Sequence, residues 1–163
     1  ILALYLARYA GLRIHECFRT DTAAAERALR ENALTVKGKG GKVRIVPIED
    51  ERILMMLKRV LAQTERGHKL LVPDGMPTDR SINALELFIY RHRNEISDEG
   101  SDRRLTFHGL RHTYAAEKYT RLTEDGMSAI DAHYAVSRLL GHERADVTNI
   151  YLASVRKRGR DGE

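Results

Sequence analysis

Apolar positions recur at helical spacing from the first residue. Leu2, Leu6 and Tyr9 share a face, which predicts a helix over Ile1 to Ala10. Gly11 interrupts it, and Leu12-Arg13-Ile14-His15-Glu16 leads into a helix that resumes through Phe18. Asp21 to Arg30 is rich in alanine and reads as a short helix or a turn. The β-branched runs Ala33–Val36 and Val43–Ile48 then flank Lys37-Gly-Lys-Gly-Gly-Lys42, a hairpin with a glycine-rich tip. Pro47 puts the second strand at an edge.

The rest of the chain returns to helical spacing. Asp50 caps a helix through about Glu65, with Ile53, Leu57, Val60 and Leu61 inward and Gly67 as the stop. Lys69-Leu-Leu-Val-Pro-Asp74 reads as a short extended piece. Thr78 or Ser81 opens a helix with Ile82, Leu85, Ile89 and Ile96 on one face, and Ser97 to Arg104 is a polar loop. A further helix runs from about His108 to Leu122. Ser128 with Asp131 resembles a capping box for the next, closed by Gly141. Asp146 can cap a last helix through Tyr151, before a basic tail at Arg156–Arg160. The pattern is an α+β chain, mostly helical, with one small antiparallel hairpin at about residues 33–48.

Composition narrows what such a chain could be. At 163 residues it is one domain with a real core, too short to expect two. It opens on Ile-Leu-Ala-Leu-Tyr without an initiator Met, which reads as a fragment of a longer protein that begins inside a helix. Lys and Arg number 28 against 23 Asp and Glu, an excess that suits a polyanionic partner without proving one. The single cysteine, Cys17, excludes a disulfide frame and a cysteine-based zinc site, and reads as a buried inert thiol. No apolar run reaches membrane-span length, and a reducing cytoplasm is the default compartment.

Candidate chemistry gathers at four places. His108 and Arg111, three residues apart on a helix, share a face, and imidazole beside guanidinium suits two oxygens of one phosphate. Arg13 lies in the Gly11 break, where pairing with Glu16 is the plainer reading. Lys39 stands on the hairpin tip, where it, Lys37 and Lys42 could each be a solvated turn lysine. His142 follows Leu139-Leu-Gly141 and could be a helix C-cap, and Tyr151, nine residues on, could be a half-buried aromatic.

Together these boxes form a pattern. Gly11-Leu-Arg-Ile-x-Glu16, Gly38-Lys-Gly-Gly-Lys-x-Arg-Ile-Val-Pro47, His108-Gly-Leu-Arg-His-Thr113, Leu139-Leu-Gly-His142 and Tyr151 resemble, in order, the tyrosine recombinases, the phage-integrase and Xer-like site-specific recombinases. The resemblance covers Gly11 to Tyr151 and implies that 1–163 is a catalytic domain whose N-terminal DNA-clamping domain is absent.

The resemblance also implies roles. Tyr151 would attack the scissile phosphate and form a 3′-phosphotyrosyl link, so that rejoining needs no ATP. Arg13 and Arg111 would clamp the nonbridging oxygens. His108 and His142 would add hydrogen bonds, one helping to take the tyrosine proton. Lys39 would protonate the leaving 5′-oxygen, with Lys42 as a supporting phosphate contact. Glu16 would orient Arg13 or His142, and His112 would act structurally or behind the contact groups. The implied partners are double-stranded DNA and copies of the same chain, a tetramer on DNA and a monomer when isolated, with no membrane. No cofactor and no metal is implied, two arginines and a lysine supplying the positive charge.

Other readings fit less well. His108-x-x-x-His112 has helical zinc spacing, but Gly109 stands where a zincin carries Glu. The lysine-glycine hairpin fails as a phosphate-binding loop, since no Ser or Thr follows Lys42 and no helix follows the loop. A type IB topoisomerase shares the chemistry but relaxes supercoils as a monomer; the hairpin and the paired His108 and His142 favour the integrase branch. A nonenzymatic DNA-binding regulator on the same fold would have lost part of the catalytic set. One departure stands out: from Arg111 to His142 the chain is longer than in compact Xer-like members, with the extra residues placed around Leu122 to Ser128.

Overall fold

Leu2, Ala3, Leu6, Ala7 and Ala10 are all buried on α1 (Leu2–Ala10) in the computed structural model, which describes residues 1–38, 41–95 and 105–142. The small side chains let neighbouring helices come close on several sides, and truncating Leu6 to Ala would cost about 2–5 kcal/mol. Gly11 ends α1 with φ +64, the left-handed conformation in which glycine carries no steric penalty. A single helical turn, α2 (Ile14–Cys17), follows.

The alanine-rich stretch is a full helix, α3 (Thr22–Glu31), capped by the Asp21 carboxylate, which accepts from the Ala24 N–H at 2.8 Å. Ala25 and Ala28 pack its inner face onto the core. Asn32 at φ 49 then turns the chain into the hairpin.

Strands β1 (Ala33–Lys37) and β2 (Val43–Pro47) pair antiparallel, with Ala33 opposite Pro47 and Lys37 opposite Val43. They form a two-stranded sheet, so Pro47 does lie on an edge strand. Leu34, Val36 and Val46 point into the core, while Val43 and Ile45 face solvent. Alternation places Arg44 on the same inward face as Val46.

Helix α4 (Glu51–Leu61) is capped by Asp50, with Ile53 and Leu57 wholly buried. It stops at Leu61, a turn short of the expected Glu65, because bonds from Gln63 to Val60 and from Thr64 to Leu61 replace the α-helical ladder. The segment Lys69–Asp74 is not extended. Only Lys69 bridges, to Asp21, and the rest turns, with Leu70 N–H reaching back to Thr20.

Three helices complete the described chain: α5 (Thr78–His92), α6 (Phe107–Glu124) and α7 (Ala129–Leu140). On α5, Ile82 and Ile89 are buried and Leu85 packs beside them. Thr106, not His108, opens α6, its hydroxyl accepting from the Gly109 N–H at 2.9 Å. The expected insertion is the last turn of α6 and a tight turn, in which Met127 N–H bonds Leu122 O at 2.9 Å. Ser128 caps α7 and Gly141 closes it at φ 66. Helices α4 and α6 pack on α1, and α7 packs on α6 and meets β2. Among the described residues, no helix is long and apolar enough to cross a membrane. Ile96, the polar loop, the Asp146 helix and the basic tail lie outside the described residues.

Candidate active site

The site forms where three helix ends meet. Arg13 is the N-cap of α2, Gly11 the C-cap of α1 and Gly141 the C-cap of α7. Arg111 reaches them from the second turn of α6. Residues distant in sequence therefore converge through backbone turns that glycine makes possible.

Glu16 is the anionic centre of this group. Its carboxylate accepts from the Arg13 backbone N–H at 2.7 Å and the Arg13 Nη1 at 3.1 Å. It also accepts a bidentate pair from Arg44, Nη1 to Oε1 at 2.8 Å and Nη2 to Oε2 at 2.7 Å. Arg111 Nη1 lies 4.0 Å away. Burial pushes the Glu16 carboxyl up, but hydrogen bonds from Arg44 and the Arg13 N–H, with both guanidinium charges, outweigh it and hold the group below the ordinary carboxylate value.

The arginines share a second anchor, the carbonyl end of α7. Arg44 Nε donates to Leu139 O at 2.9 Å, Arg111 Nη2 to Leu140 O at 2.7 Å, and Arg13 Nη2 to Gly141 O at 3.5 Å. The last carbonyls of a helix have no intrahelical donor and carry its negative dipole end, so cations are favoured there. Arg111 also donates to Gly11 O. Three guanidiniums around one carboxylate leave two positive charges at the site.

Exposure separates the arginines. The Arg111 side chain is 1% exposed and fixed by main-chain carbonyls, while that of Arg13 is 38% exposed on the outer side of the cluster. Arg111 Nη2 lies 3.3 Å from His142 Nε2. Since a guanidinium can only donate, Nε2 must accept, which places the His142 proton on Nδ1. Burial, then the charges of Arg111, Arg13 and Arg44, lower the His142 pKa to about 4, so the ring is neutral at pH 7. His108, exposed on the first turn of α6, is lowered by the same causes, burial before the Arg111 and Arg13 charges. Its ring stands edge-on to His112 at 4.8 Å between centroids.

Four of the expected catalytic residues, Arg13, His108, Arg111 and His142, are thus near neighbours, and Glu16 joins them. The two members of the expected guanidinium–imidazole pair differ in burial: Arg111 turns inward and meets His142, just past the end of α7, while His108 stays at the surface. Lys42 is exposed just before β2, its carbonyl accepting from the Gly38 N–H at 2.8 Å. Lys39 and Tyr151 lie outside the described residues.

Arg44 belongs to the hairpin box, but the motif reading gave it no role. The signal was present: a charged residue on the inward face of a strand, in register with Val46, needs a buried acid, and Glu16 is that acid. Tyr114 was likewise unmarked. Its ring packs on Gly11, and burial, with the Glu49 charge, pushes its hydroxyl up to about 12, which makes it a poor nucleophile.

Three arginines converging on one buried carboxylate, with His108 and His142 beside them, make a site with an excess of positive charge that suits an anion. The phage integrase family model matches residues 1–158, and the chain belongs to that family. It is 28% identical over 148 residues to tyrosine recombinase XerD of Pseudomonas putida, covering 86% of this chain and 45% of that protein. A crystal structure of XerA recombinase superposes with a TM-score of 0.68 at 21% identity, over 98% of this chain and 56% of that one. The Tn1549 transposon integrase, solved in complex with circular intermediate DNA, gives 0.62 at 22% identity, over 92% of this chain and 52% of its own. The chain spans about half the length of these relatives, and the structural likenesses establish a shared fold.

Proposed function

We propose that this chain is the catalytic domain, over 1–163, of a site-specific DNA recombinase that cleaves and rejoins DNA through a 3′-phosphotyrosyl intermediate. The observation that carries the reading is the arginine cluster: Arg13 and Arg111 share the Glu16 and α7 anchors, and the site retains two positive charges. One phosphodiester that gains charge on becoming pentacoordinate matches that balance. Family membership and the DNA complex of the Tn1549 integrase point the same way.

In this reading Arg13 and Arg111 bind the two nonbridging oxygens. His142, its Nε2 facing Arg111, offers Nδ1–H to one of them. That leaves His108 to take the proton from Tyr151 as its oxygen bonds to phosphorus. The bond from phosphorus to the 5′-oxygen breaks, and Lys39 gives that oxygen its proton. Lys42 contacts a neighbouring phosphate, and His112 steadies His108 from one turn away. The phosphotyrosyl ester keeps the bond energy for rejoining, so neither ATP nor a metal ion enters the steps. The partners are double-stranded DNA and further copies of the chain, a tetramer on DNA and a monomer when isolated, acting in the cytoplasm.

The test is a DNA substrate nicked beside the cleavage position, so that the 5′-hydroxyl fragment diffuses away. The full chain encoded by the gene, incubated in EDTA with DNA from the flanks of that gene, should give a covalent protein–DNA band on a denaturing gel. Tyr151→Phe should give none. A band that survives the substitution would move the nucleophile elsewhere. Relaxation of supercoiled plasmid lacking any such site would place the chain with the topoisomerases instead.

A further inference from the structure

We propose that Arg44 is a positioning residue for the phosphate clamp: it neutralises Glu16 and ties that carboxylate to the carbonyl end of α7, so that Arg13 and Arg111 keep their charge and orientation for a phosphate. The inference rests on the reaction proposed above and adds a residue to it.

The geometry argues for a supporting role. Arg44 lies on β2, and its side chain is 12% exposed. Both terminal nitrogens are on Glu16 and Nε is on Leu139 O. A guanidinium with all three nitrogens bonded to the protein is held in one orientation. Arg13, in contrast, makes its longest contact, 3.5 Å, to Gly141 O and keeps an outer face in water. The two arginines use the same carboxylate and the same helix end, one as a fixture and the other as an available cation.

Electrostatics show what Arg44 prevents. Glu16 is 3% exposed, and a buried carboxylate draws in whatever cations it can reach. With Arg44 present, a bidentate pair cancels its charge. Without it, the nearest substitutes are Arg13 at 3.1 Å and Arg111 at 4.0 Å. Arg111 is held by main-chain carbonyls, so Arg13, already bonded to Glu16 and the more exposed of the two, would be drawn further onto it, and the charge left for the phosphate would fall from two to one. Gly141 contributes to the same fit: a Cβ there would stand 3.0 Å from Arg44 Nη1, so the helix end and the guanidinium are in close contact.

The experiment compares two substrates, the nicked phosphodiester and the same DNA with a methylphosphonate at the scissile position. The methylphosphonate has an uncharged methyl group in place of one nonbridging oxygen, so the linkage is neutral and asks less of a cationic clamp. For the full chain, Arg44→Ala should slow covalent-adduct formation about 100-fold on the phosphodiester and less than about 10-fold on the methylphosphonate. The double variant Arg44→Ala/Glu16→Gln should recover about 10-fold on the phosphodiester relative to Arg44→Ala, because the uncompensated carboxylate is gone. If the alanine variant does not fold, Arg44→Lys, which keeps a cation but loses the bidentate fork, carries the comparison with a smaller loss of the same selectivity. Equal losses on both substrates, or no recovery in the double variant, would overturn the proposal. Absence of a Tyr151-dependent adduct from the unsubstituted chain would instead overturn the functional reading.

Discussion

The ring of Tyr114 occupies the space that a side chain at Gly11 would need. A Cβ built there lies 2.4 Å from Tyr114 Cδ1, and the backbone at Gly11 has φ +64. Gly11→Ala therefore meets two penalties, a left-handed residue with a Cβ and an overlap inside packed structure. Together they should cost about 2–5 kcal/mol in a denaturant melt. Since Gly11 O also accepts from Arg111, loss of adduct formation should accompany it. A variant as stable as the parent would show that Tyr114 moves aside at no cost.

Arg13 and Arg111 should separate stability from activity. Arg111 is buried against two carbonyls and near Glu16, so Arg111→Ala should destabilise the fold by about 3–5 kcal/mol as well as abolish cleavage. The Arg13 side chain is partly solvated, and Arg13→Ala should cost less than about 1 kcal/mol. Adduct formation should nevertheless fall about 100-fold or more. Paired unfolding curves and adduct yields decide it; an inactive but unfolded Arg13→Ala protein would contradict the assignment of a solvated, substrate-facing cation.

The lowered pKa of His142 has a readable signature. Its imidazole should titrate near pH 4 by NMR, well below the ordinary value of 6.5. On unfolding, the ring regains its normal affinity for protons, so the unfolded state binds a proton first as pH falls. The contribution of His142 to stability is thus complete above 6.5 and lost as pH drops toward 4. His142→Gln should flatten that part of the stability–pH curve. A midpoint near 6.5 in the folded protein would mean that the ring is not held between the arginines.

Glu16 should act in a lower window. Its carboxyl is held below 4.5, so its contribution is present above 4.5 and lost as pH falls through the folded value. Glu16→Gln should be less stable than the parent at pH 7, with the gap narrowing below pH 4.5. A gap that does not change with pH would point to lost packing in place of lost charge.

Sequence made some of this architecture visible and concealed the rest for physical reasons. Apolar spacing located α1, α4 and α5, because each buries one well-defined stripe; the Ser128 cap and the Gly141 stop located α7, and β-branched runs located both strands. The α3 segment was ambiguous because alanine buries well in helices and turns alike, and only the Asp21 cap and its packing on the hairpin settled it. Lys69–Asp74 misled because an apolar run bounded by Pro looks extended, whereas its bonds go to Thr20 and Asp21. At the site, ordered motifs found the histidines, Arg13, Arg111 and Glu16. Arg44 was given no role because that role depends on which face of β2 turns inward. The seats on Leu139, Leu140 and Gly141 could not be read, since backbone carbonyls look alike in every residue.

Those seats also set the order in which a growing chain could become competent. Arg44 and Arg13 find their carbonyls 95 and 128 residues further on, and Arg111 finds its own 29 residues later. A ribosome therefore adds all three of these arginines before the helix end that holds them in place. Until then the nascent chain carries basic charge without a shaped clamp. A protease cut in the turn between Glu124 and Ser128 would separate the same two parts. The arginine clamp thus takes shape late in synthesis, once the end of α7 has been made.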